Sequence, residues 1–341
     1  MFRKQRKLCI ALLLIVILVP ITRFTRFLLF PAGDGKRVEI VELSRGRSLR
    51  AFAADLEARR IITSARLFVF YARLKGGDAR LKAGPYQLDD GLRPGEILAK
   101  MIAGDVYLRL FALPQGYSSY QAAEMLEKRG IFTRESFLAA CSDRALLKEM
   151  GIDAPSAEGY LFPGSYNILP GRNEHDVVRE MIKRQKEVLS GSIDGQARAK
   201  GVSMRELLVL ASMVEKEAVL PQEKPLIAAV FRNRLKIGMR LQSDPTALYG
   251  VRAFAGKVSR DDILKPTPYN TYLIPGLPPG PIGNPGKDAM EAVLHPAAVP
   301  YLYFVARGDG SHQFSNDLAS HNDAVNRYLK APSAAPRGGA R

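Results

Sequence analysis

Two glutamates, Glu215 and Glu217, close an apolar stretch that begins at Leu207. A carboxyl group can donate or accept a proton at a reacting bond near neutral pH when its surroundings raise its pKa. At about 100° per residue in a helix, Glu217 falls on the apolar stripe, Glu215 lies at its edge and Lys216 points away. The pattern predicts that Glu217 is partly desolvated and that Glu215 is solvated or ion-paired. The alternative is that Glu217 is a helix-end glutamate paired with an arginine.

The helix that carries these glutamates has clear start and stop residues. Ser203 and Glu206 have the spacing of a capping box, which predicts the first turn. Pro221 cannot continue the helix, so the helix is expected to end near Ala218.

Long loops rich in aromatic, amide and hydroxyl side chains accompany this helix. Residues 242–246 form a polar turn, and residues 266–286 form a proline-rich loop. Loops of this length inside a compact domain are usually functional. Their side chains suit a polyhydroxylated ligand better than a flat or phosphorylated one. The candidate substrate-binding residues are Tyr160, Gln242, Asp244, Thr246, Tyr269 and Asn270.

Composition and net charge indicate which kinds of molecule the protein could bind. The chain has 341 residues and a formal net charge of +16, which suits an anionic polymer or a membrane surface. No zinc-finger spacing, RNA-binding signature or continuous basic helix points to nucleic acid. The two cysteines and four histidines are scattered, so neither a metal site nor a cofactor is expected.

The N-terminus reads as a membrane anchor. Four basic residues precede an uncharged run from Leu8 to Ile21, and Arg23 and Arg26 follow in place of a small-residue cleavage site. The pattern predicts an uncleaved single-pass anchor with a cytoplasmic N-terminus and the bulk of the chain outside. A buried core helix is the alternative, although the run is not amphipathic.

An internal repeat organises the first half of the chain. Residues 41–68 align without a gap on residues 111–138. Each copy predicts a strand, a glycine turn, a helix capped by Ser48 or Ser118, and a second helix capped by Thr63 or Thr133. This βα unit resembles LysM-type glycan-binding modules; the alternative is a structural brace.

Four segments have a distinctive sequence: ASMVEKEA, FRNRLKIGMRLQSDPTALYG, PYNTYLIPGLPPGPIGNPG and HPAAVPYLYFVARGDGSHQFSNDLASHN. They resemble the endolytic murein transglycosylases of the MltG (YceG-like) family. The resemblance covers nearly the whole chain and implies an α+β protein: an N-terminal transmembrane helix, LysM-like βα modules, and a mixed α/β YceG-like catalytic domain. It places the catalytic glutamate, the second of the E-K-E element, on Glu217.

The resemblance implies a lyase of the inner (cytoplasmic) membrane whose catalytic part faces the periplasm or outer face. It would cleave the MurNAc–GlcNAc bond of nascent peptidoglycan strands and leave 1,6-anhydro-MurNAc ends, with peptidoglycan synthases as possible partners. The sequence departs from the family pattern at Ala218, where a hydroxyl residue is usual, and at Gly164, where an acidic residue is frequent.

Two other functions stay open. In a muramidase, which hydrolyses the same bond, Asp244 or Glu158 would be the second carboxylate. A membrane-tethered, non-enzymatic glycan-binding scaffold would need neither.

The expected domain boundaries follow from these segments. They are a cytoplasmic tip and anchor over residues 1–37, a LysM-like module over 38–107, a catalytic region over 108–330 that begins with the second βα unit at 111–140, and a disordered tail over 331–341.

Overall fold

The structure, a computed structural model, describes residues 2–77, 79–250 and 258–330; for residues 2–15 and 330 it describes the backbone alone. The predicted disordered tail, 331–341, lies outside the described residues. The chain divides into two compact units, Met1–Arg109 with Asn167–Gly171, and Leu110–Tyr166 with Arg172–Arg341. These units are defined by compactness and do not test the expected functional domains, whose boundaries stay a prediction.

The first unit packs helices against a two-stranded antiparallel sheet. Strands β1 and β2 pair from Val38 opposite Asp89 to Leu43 opposite Gly84. Its core is apolar and aromatic, with Phe52, Phe68 and Tyr86 fully buried. The elements are α1 (Phe2–Leu29), β1 (Val38–Leu43), α2 (Leu49–Ala58), α3 (Ala65–Leu74), β2 (Gly84–Asp89) and α4 (Pro94–Ala103).

Helix α1 contains the run that was predicted to anchor the chain. It spans 28 residues and includes Pro20. In the part of the chain that the structure describes, no helix combines the length and the apolar character that a membrane span requires. The anchor over residues 1–37 therefore stays a prediction.

The second unit begins with the repeated strand–helix–helix unit and continues into a helical body. Its strands form two small sheets, β3 with β4 and β5 with β6. In chain order, the first elements are β3 (Arg109–Leu113), α5 (Ser119–Lys128), α6 (Arg134–Cys141), α7 (Arg144–Glu149), β4 (Gly164–Ile168), α8 (Glu174–Val188) and α9 (Asp194–Ala199). They are followed by α10 (Met204–Glu217), α11 (Lys224–Lys236), α12 (Asp244–Leu248), α13 (Arg260–Leu264), α14 (Lys287–Leu294), β5 (Tyr303–Ala306), β6 (His312–Ser315) and α15 (Leu318–Val325).

Both copies of the repeat form the predicted elements, because their N-caps are encoded locally. The Ser48 side chain accepts a hydrogen bond from the Ala51 amide at the start of α2, and Ser118 caps α5 with a capping box. Thr133 caps α6 as predicted. The prediction for the first copy was wrong by one residue, since Ser64 and not Thr63 caps α3. Glycan binding by these units stays a prediction.

Helix α10 forms the core of the second unit. Residues 207–214 are all buried, so the helix is apolar on every side and not along one stripe. It packs against α11 and α14, two helices that lie after it in the chain. The predicted ends are confirmed: Ser203 is the N-cap, and Ala218 is the C-cap. The glutamates therefore lie where a buried helix meets loops.

Candidate active site

Glu217 is the last residue of α10, and its carboxyl group is shielded by the elements around it. The Ser243 hydroxyl donates a hydrogen bond to Glu217 Oε1 at 2.6 Å. Burial raises the pKa of Glu217 to about 7; the Ser243 hydrogen bond opposes the rise, the Asp244 charge adds to it and the Arg234 charge reduces it. The predicted desolvation of Glu217 is confirmed, and its catalytic role stays a prediction.

Ser243 is held by a buried cluster of hydroxyl and amide groups. It is 1% exposed, and its amide donates to Thr271 Oγ1 at 3.0 Å. The Thr246 hydroxyl donates to the Ser243 carbonyl at 2.6 Å and lies 2.8 Å from Thr271 Oγ1. The preceding residue, Gln242, has a left-handed φ of 48°. These contacts fix the direction of the hydroxyl that meets Glu217. The polar turn 242–246 was singled out from sequence, but nothing there distinguished Ser243.

Arg234 is a buried cation of the second unit, and no sequence spacing singled it out. It is 7% exposed and donates to the carbonyls of Leu241 and Leu302, both at 2.6 Å. Its guanidinium lies 5.4 Å from the ring centre of Tyr303. Arg234 thereby joins α11 to the segment before Ser243 and to β5. Its charge favours the carboxylate form of Glu217.

The prediction that Glu215 avoids desolvation was wrong, although ion pairing was foreseen as an alternative. Its side chain is 7% exposed and accepts a hydrogen bond from Lys224 Nζ at 2.8 Å and from the Gly286 amide at 3.0 Å. Lys224 is also buried and contacts Asp288 at 2.7 Å. Loop 281–286 reaches the end of α10 through the Gly286 amide, so the Glu215 side chain is largely buried.

Lys216 does not point into solvent, contrary to the prediction. It is half-buried, and its Nζ donates to Gln121 Oε1 at 3.2 Å. Burial lowers the pKa of Lys216 to about 8, and the charges of Glu158 and Glu215 oppose that fall. Three successive side chains at the end of α10, those of Glu215, Lys216 and Glu217, are therefore all partly or largely covered by protein.

Glu158 occupies a saturated internal network. It is 3% exposed and accepts hydrogen bonds from the amide and hydroxyl of Ser119, from the Tyr249 hydroxyl at 3.0 Å and from Asn284 Nδ2 at 3.0 Å. Burial raises its pKa. Because both oxygens are engaged, Glu158 is a brace between α5 and the loop at Asn284, and it does not suit the role of a base that activates water.

Asp244 and Gln242 are the exposed candidates beside Glu217. Asp244 begins α12 and accepts a hydrogen bond from the Tyr272 hydroxyl at 2.5 Å. Its charge raises the pKa of Glu217, which places it in the same electrostatic environment. These two side chains are accessible to a ligand.

Thr246 and Asn270 are poor candidates for ligand contact, because both are 0% exposed. Thr246 is part of the hydroxyl cluster that holds Ser243. Asn270 Nδ2 donates to the carbonyls of Ile263 and Lys265 at 2.8 and 2.9 Å, and its Oδ1 accepts from the Tyr272 amide. The structure gives both residues a structural role, since buried polar groups with internal partners are not offered to a substrate.

The tyrosine candidates pack against the same core cluster as α10. Tyr160 and Tyr269 are half-buried, and burial raises the pKa of both hydroxyls. Tyr269 packs on Tyr249 with ring centres 4.6 Å apart, and Tyr120 meets Tyr249 edge-on at 6.0 Å. Since Tyr249 also bonds Glu158, these rings are continuous with the Glu158 network.

The two departures from the family pattern have distinct surroundings. Ala218 is the C-cap of α10 and follows Glu217 directly. A Cβ on Gly164 would lie 3.2 Å from a guanidinium nitrogen of Arg184. Arg184 lies over the rings of Phe162 and Tyr166 and donates a hydrogen bond to the Ser165 carbonyl.

Comparison with known proteins gives consistent matches. A relative from Bacillus subtilis (strain 168), named endolytic murein transglycosylase, is 31% identical over 314 residues and covers 87% of each chain. A relative of the same name from Streptococcus pneumoniae serotype 2 is 28% identical, over 88% of this chain and 60% of its own. The crystal structure of a yceG-like protein from Listeria monocytogenes superposes with a TM-score of 0.60 at 31% identity, over 84% of this chain and 99% of that one. The model of the YceG-like family matches residues 41–327, and the chain belongs to this family.

Proposed function

We propose that the protein is an endolytic peptidoglycan lytic transglycosylase. It cleaves the MurNAc–GlcNAc bond within nascent glycan strands, leaves 1,6-anhydro-MurNAc ends and so limits strand elongation. The observation that carries the proposal is the carboxyl group of Glu217, whose pKa of about 7 suits both proton donation and proton acceptance at neutral pH. The relatives named endolytic murein transglycosylase support the reaction class.

One carboxyl group is enough for this reaction. Protonated Glu217 donates its proton to the glycosidic oxygen, and the bond to the anomeric carbon of MurNAc breaks. The resulting carboxylate accepts the proton of the muramic 6-hydroxyl, whose oxygen bonds to the anomeric carbon of the same sugar. The nucleophile is intramolecular, so no second carboxylate has to activate water.

Ser243 and Arg234 define how Glu217 acts. Among the described residues, Ser243 donates a hydrogen bond to Oε1 of Glu217, which leaves Oε2 for the substrate. The Arg234 charge stabilises the carboxylate that forms after the first proton transfer. Gln242 and Asp244 are the exposed residues that would contact the glycan beside this carboxyl group.

A muramidase is the second candidate, and the charge of Asp244 beside Glu217 is the observation that favours it. Retaining and inverting hydrolases pair two carboxylates about 5–9 Å apart. Asp244 would then serve as base or nucleophile. The Tyr272 hydroxyl donates a hydrogen bond to Asp244 Oδ1 and so holds the direction of this side chain.

Digestion of glycan strands in ¹⁸O-labelled water separates the two reactions. A transglycosylase yields anhydro ends that are lighter than hydrolysis products by one water and carry no label. Labelled reducing ends as the main product would replace the proposal with the muramidase. Tight binding of strands without any cleavage would favour the glycan-binding scaffold.

Glu217→Gln is the matching variant for this assay. It is expected to abolish cleavage while the protein still binds strands, because the amide cannot transfer the proton. Glu187→Gln is the control, since Glu187 is an exposed glutamate on α8. Retained cleavage by Glu217→Gln would remove Glu217 from the mechanism.

We propose further that residues 1–37 anchor the protein in the cytoplasmic membrane, with the second unit on the outer side. Eight basic residues and one acidic residue in this segment, and the uncharged run between them, support this orientation. Peptidoglycan synthases are the expected partners, and the two βα units are expected to contact the glycan strand.

A further inference from the structure

Helix α3 exposes an unusual row of side chains in the first unit. Arg66, Phe70 and Leu74 recur every four residues and therefore share one face. Phe70 is 56% exposed and Leu74 is 67% exposed. Large apolar side chains that cluster on a surface mark a binding site for a protein or a membrane.

The same apolar surface continues onto α1. The rings of Phe24 and Phe70 meet edge-on with their centres 5.4 Å apart. Beyond Phe24, Val16 and Ile17 are 65% and 49% exposed. Two helices of one unit thus present a joint apolar face to the surroundings.

A groove of about 1010 Å³ opens beside this face, between α1 and the start of α3. Phe27 is 4% exposed and fixes α1 in the core of the unit, so the groove has a rigid wall. The apolar part of the lining includes Val19, Pro20, Phe27, Phe30 and Leu67.

The polar part of the groove is predominantly cationic. Arg23, Arg26 and Arg66 line it, with Glu57 as the acidic residue. Arg23, Arg26 and Arg66 are exposed, so their guanidinium groups are accessible. A guanidinium group binds phosphate oxygens with two parallel hydrogen bonds.

We propose that this groove binds an anionic phospholipid of the bilayer and docks the first unit on the membrane surface. The arginines hold the phosphate group, the apolar lining contacts the upper acyl chains, and Phe70 and Leu74 enter the interface. A phospholipid supplies anionic and apolar groups side by side, which a glycan strand does not. The inference rests on the proposed membrane anchor, because the anchor brings α3 to the surface.

The chain contains no tryptophan, so a single introduced tryptophan reports its own position. We would reconstitute full-length Phe70→Trp into vesicles of phosphatidylcholine alone, or of equal parts of phosphatidylcholine and phosphatidylglycerol, with brominated acyl chains as quencher. Strong quenching is expected in the anionic vesicles. The control variant is Leu264→Trp. Leu264 lies in the second unit and is 57% exposed, so a tryptophan there reports quenching outside the apolar face.

The charge contribution is measured in the Phe70→Trp background. Arg66→Glu should weaken the dependence of quenching on phosphatidylglycerol by about fivefold or more, since each basic residue near an anionic surface contributes measurably to binding. Arg50→Glu, on the exposed side of α2 and outside the groove, should leave the dependence unchanged.

The outcomes separate the docking from the anchor. Vesicle flotation of the protein with an unquenched Trp at position 70 would overturn the docking and keep the anchor. Equal quenching with and without phosphatidylglycerol, or an Arg66→Glu variant that behaves like Arg50→Glu, would overturn the anionic site. Failure to float with any vesicle would overturn both.

Discussion

At the residue scale, Glu217 is defined by burial and not by a charged partner. Burial is the largest cause of its raised pKa, while Ser243 and Arg234 pull the pKa down and Asp244 pushes it up. A carboxyl group with a pKa of about 7 is about half protonated at neutral pH, so it can both donate and accept a proton there. Single substitutions of the residues around Glu217 should therefore shift its pKa in a direction that can be stated in advance.

The pH dependence of cleavage follows from this balance. Glu217 must be protonated to act as acid, so kcat/KM is expected to fall as the pH rises through about 7. Ser243→Ala removes a hydrogen bond that favours the carboxylate, and the falling limb should move to higher pH. The pH profile of fragment release measures both. Ser190→Ala, an exposed serine, is the control. A shift of the Ser243→Ala limb to lower pH would contradict the role assigned to Ser243.

Stability should also depend on the ionisation of Glu217. The folded pKa of about 7 lies above the ordinary value of 4.5, so the folded state binds more protons than the unfolded chain between these pH values. The unfavourable contribution is absent below pH 4.5, grows between the two values and is complete above pH 7. Glu217→Gln should therefore be more stable than the parent at alkaline pH by roughly 1–3 kcal/mol and similar to it in acid. Urea unfolding at both pH values tests this, and an equal difference in acid would contradict it.

At the element scale, the end of α10 is clamped by the loop before α14. Glu215 receives the Gly286 amide and the buried ammonium group of Lys224, which begins α11. In the same loop, the amide of Asn284 bonds the Tyr117 carbonyl, and the Gly116 amide bonds the Asn284 carbonyl. The clamp fixes the final turn of the helix, and with it the direction of Glu217.

Removal of the Glu215 charge tests the clamp. Glu215→Gln leaves Lys224 buried with Asp288 as its remaining carboxylate, so the free energy of unfolding should fall by about 3 kcal/mol. Glu187→Gln on the exposed side of α8 should change it by less than about 0.5 kcal/mol. Chemical denaturation of both variants gives the comparison. Equal stability of the two would show that the Glu215–Lys224 contact is dispensable.

Gly283 sits at the closest approach of this loop to the turn before α5. A Cβ at this position would lie 2.4 Å from the carbonyl oxygen of Gly116, and backbone cannot yield as a flexible side chain does. Gly283→Ala should cost about 3 kcal/mol of stability and lower cleavage, because the loop must shift away from the end of α10. Gly195→Ala is the matched control: nothing lies within 4 Å of its added Cβ, and alanine favours its helix. If thermal unfolding showed Gly283→Ala to be as stable as Gly195→Ala, the close contact at Gly283 would be refuted.

At the scale of the whole molecule, the chain combines two compact units with an N-terminal helix rich in apolar and basic residues. The first unit exposes an apolar face beside three arginines, and the second carries Glu217. This division underlies the proposed arrangement, in which residues 1–37 would anchor the protein and Glu217 would lie outside the cytoplasm.

Topology fusions test that arrangement. Alkaline phosphatase fused to the C-terminus should be active, because it folds only after export, whereas a cytoplasmic reporter at the same position should be inactive. N-terminal sequencing of the purified protein should not find a start near Ala32, since no cleavage site precedes it. A mature N-terminus there, or an inactive phosphatase fusion, would reject the uncleaved anchor.

Sequence by itself determined the features that depend on neighbours along the chain. The ends of α10 and the serine caps of α2 and α5 arise from residues within a few positions of each other. The desolvation of Glu217 was predicted from its place on the apolar stripe, but residues 207–214 are buried all round the helix and Glu215 is buried too, so the stripe did not distinguish the two glutamates. Helix caps and apolar periodicity depend on residues that are close together in the chain, so both can be recognised in the sequence.

Tertiary structure alone decided the partners of these residues. Ser243 and Arg234 reach the environment of Glu217 from other elements, and loop 281–286 turns Glu215 from an expected edge residue into a buried ion pair. Thr246 and Asn270 were predicted to bind the ligand, but their side chains are hydrogen-bonded within the protein. Hydrogen-bond partners and burial depend on which distant segments pack together, and a polar side chain has the same sequence pattern whether its partner is a substrate or the protein's own backbone.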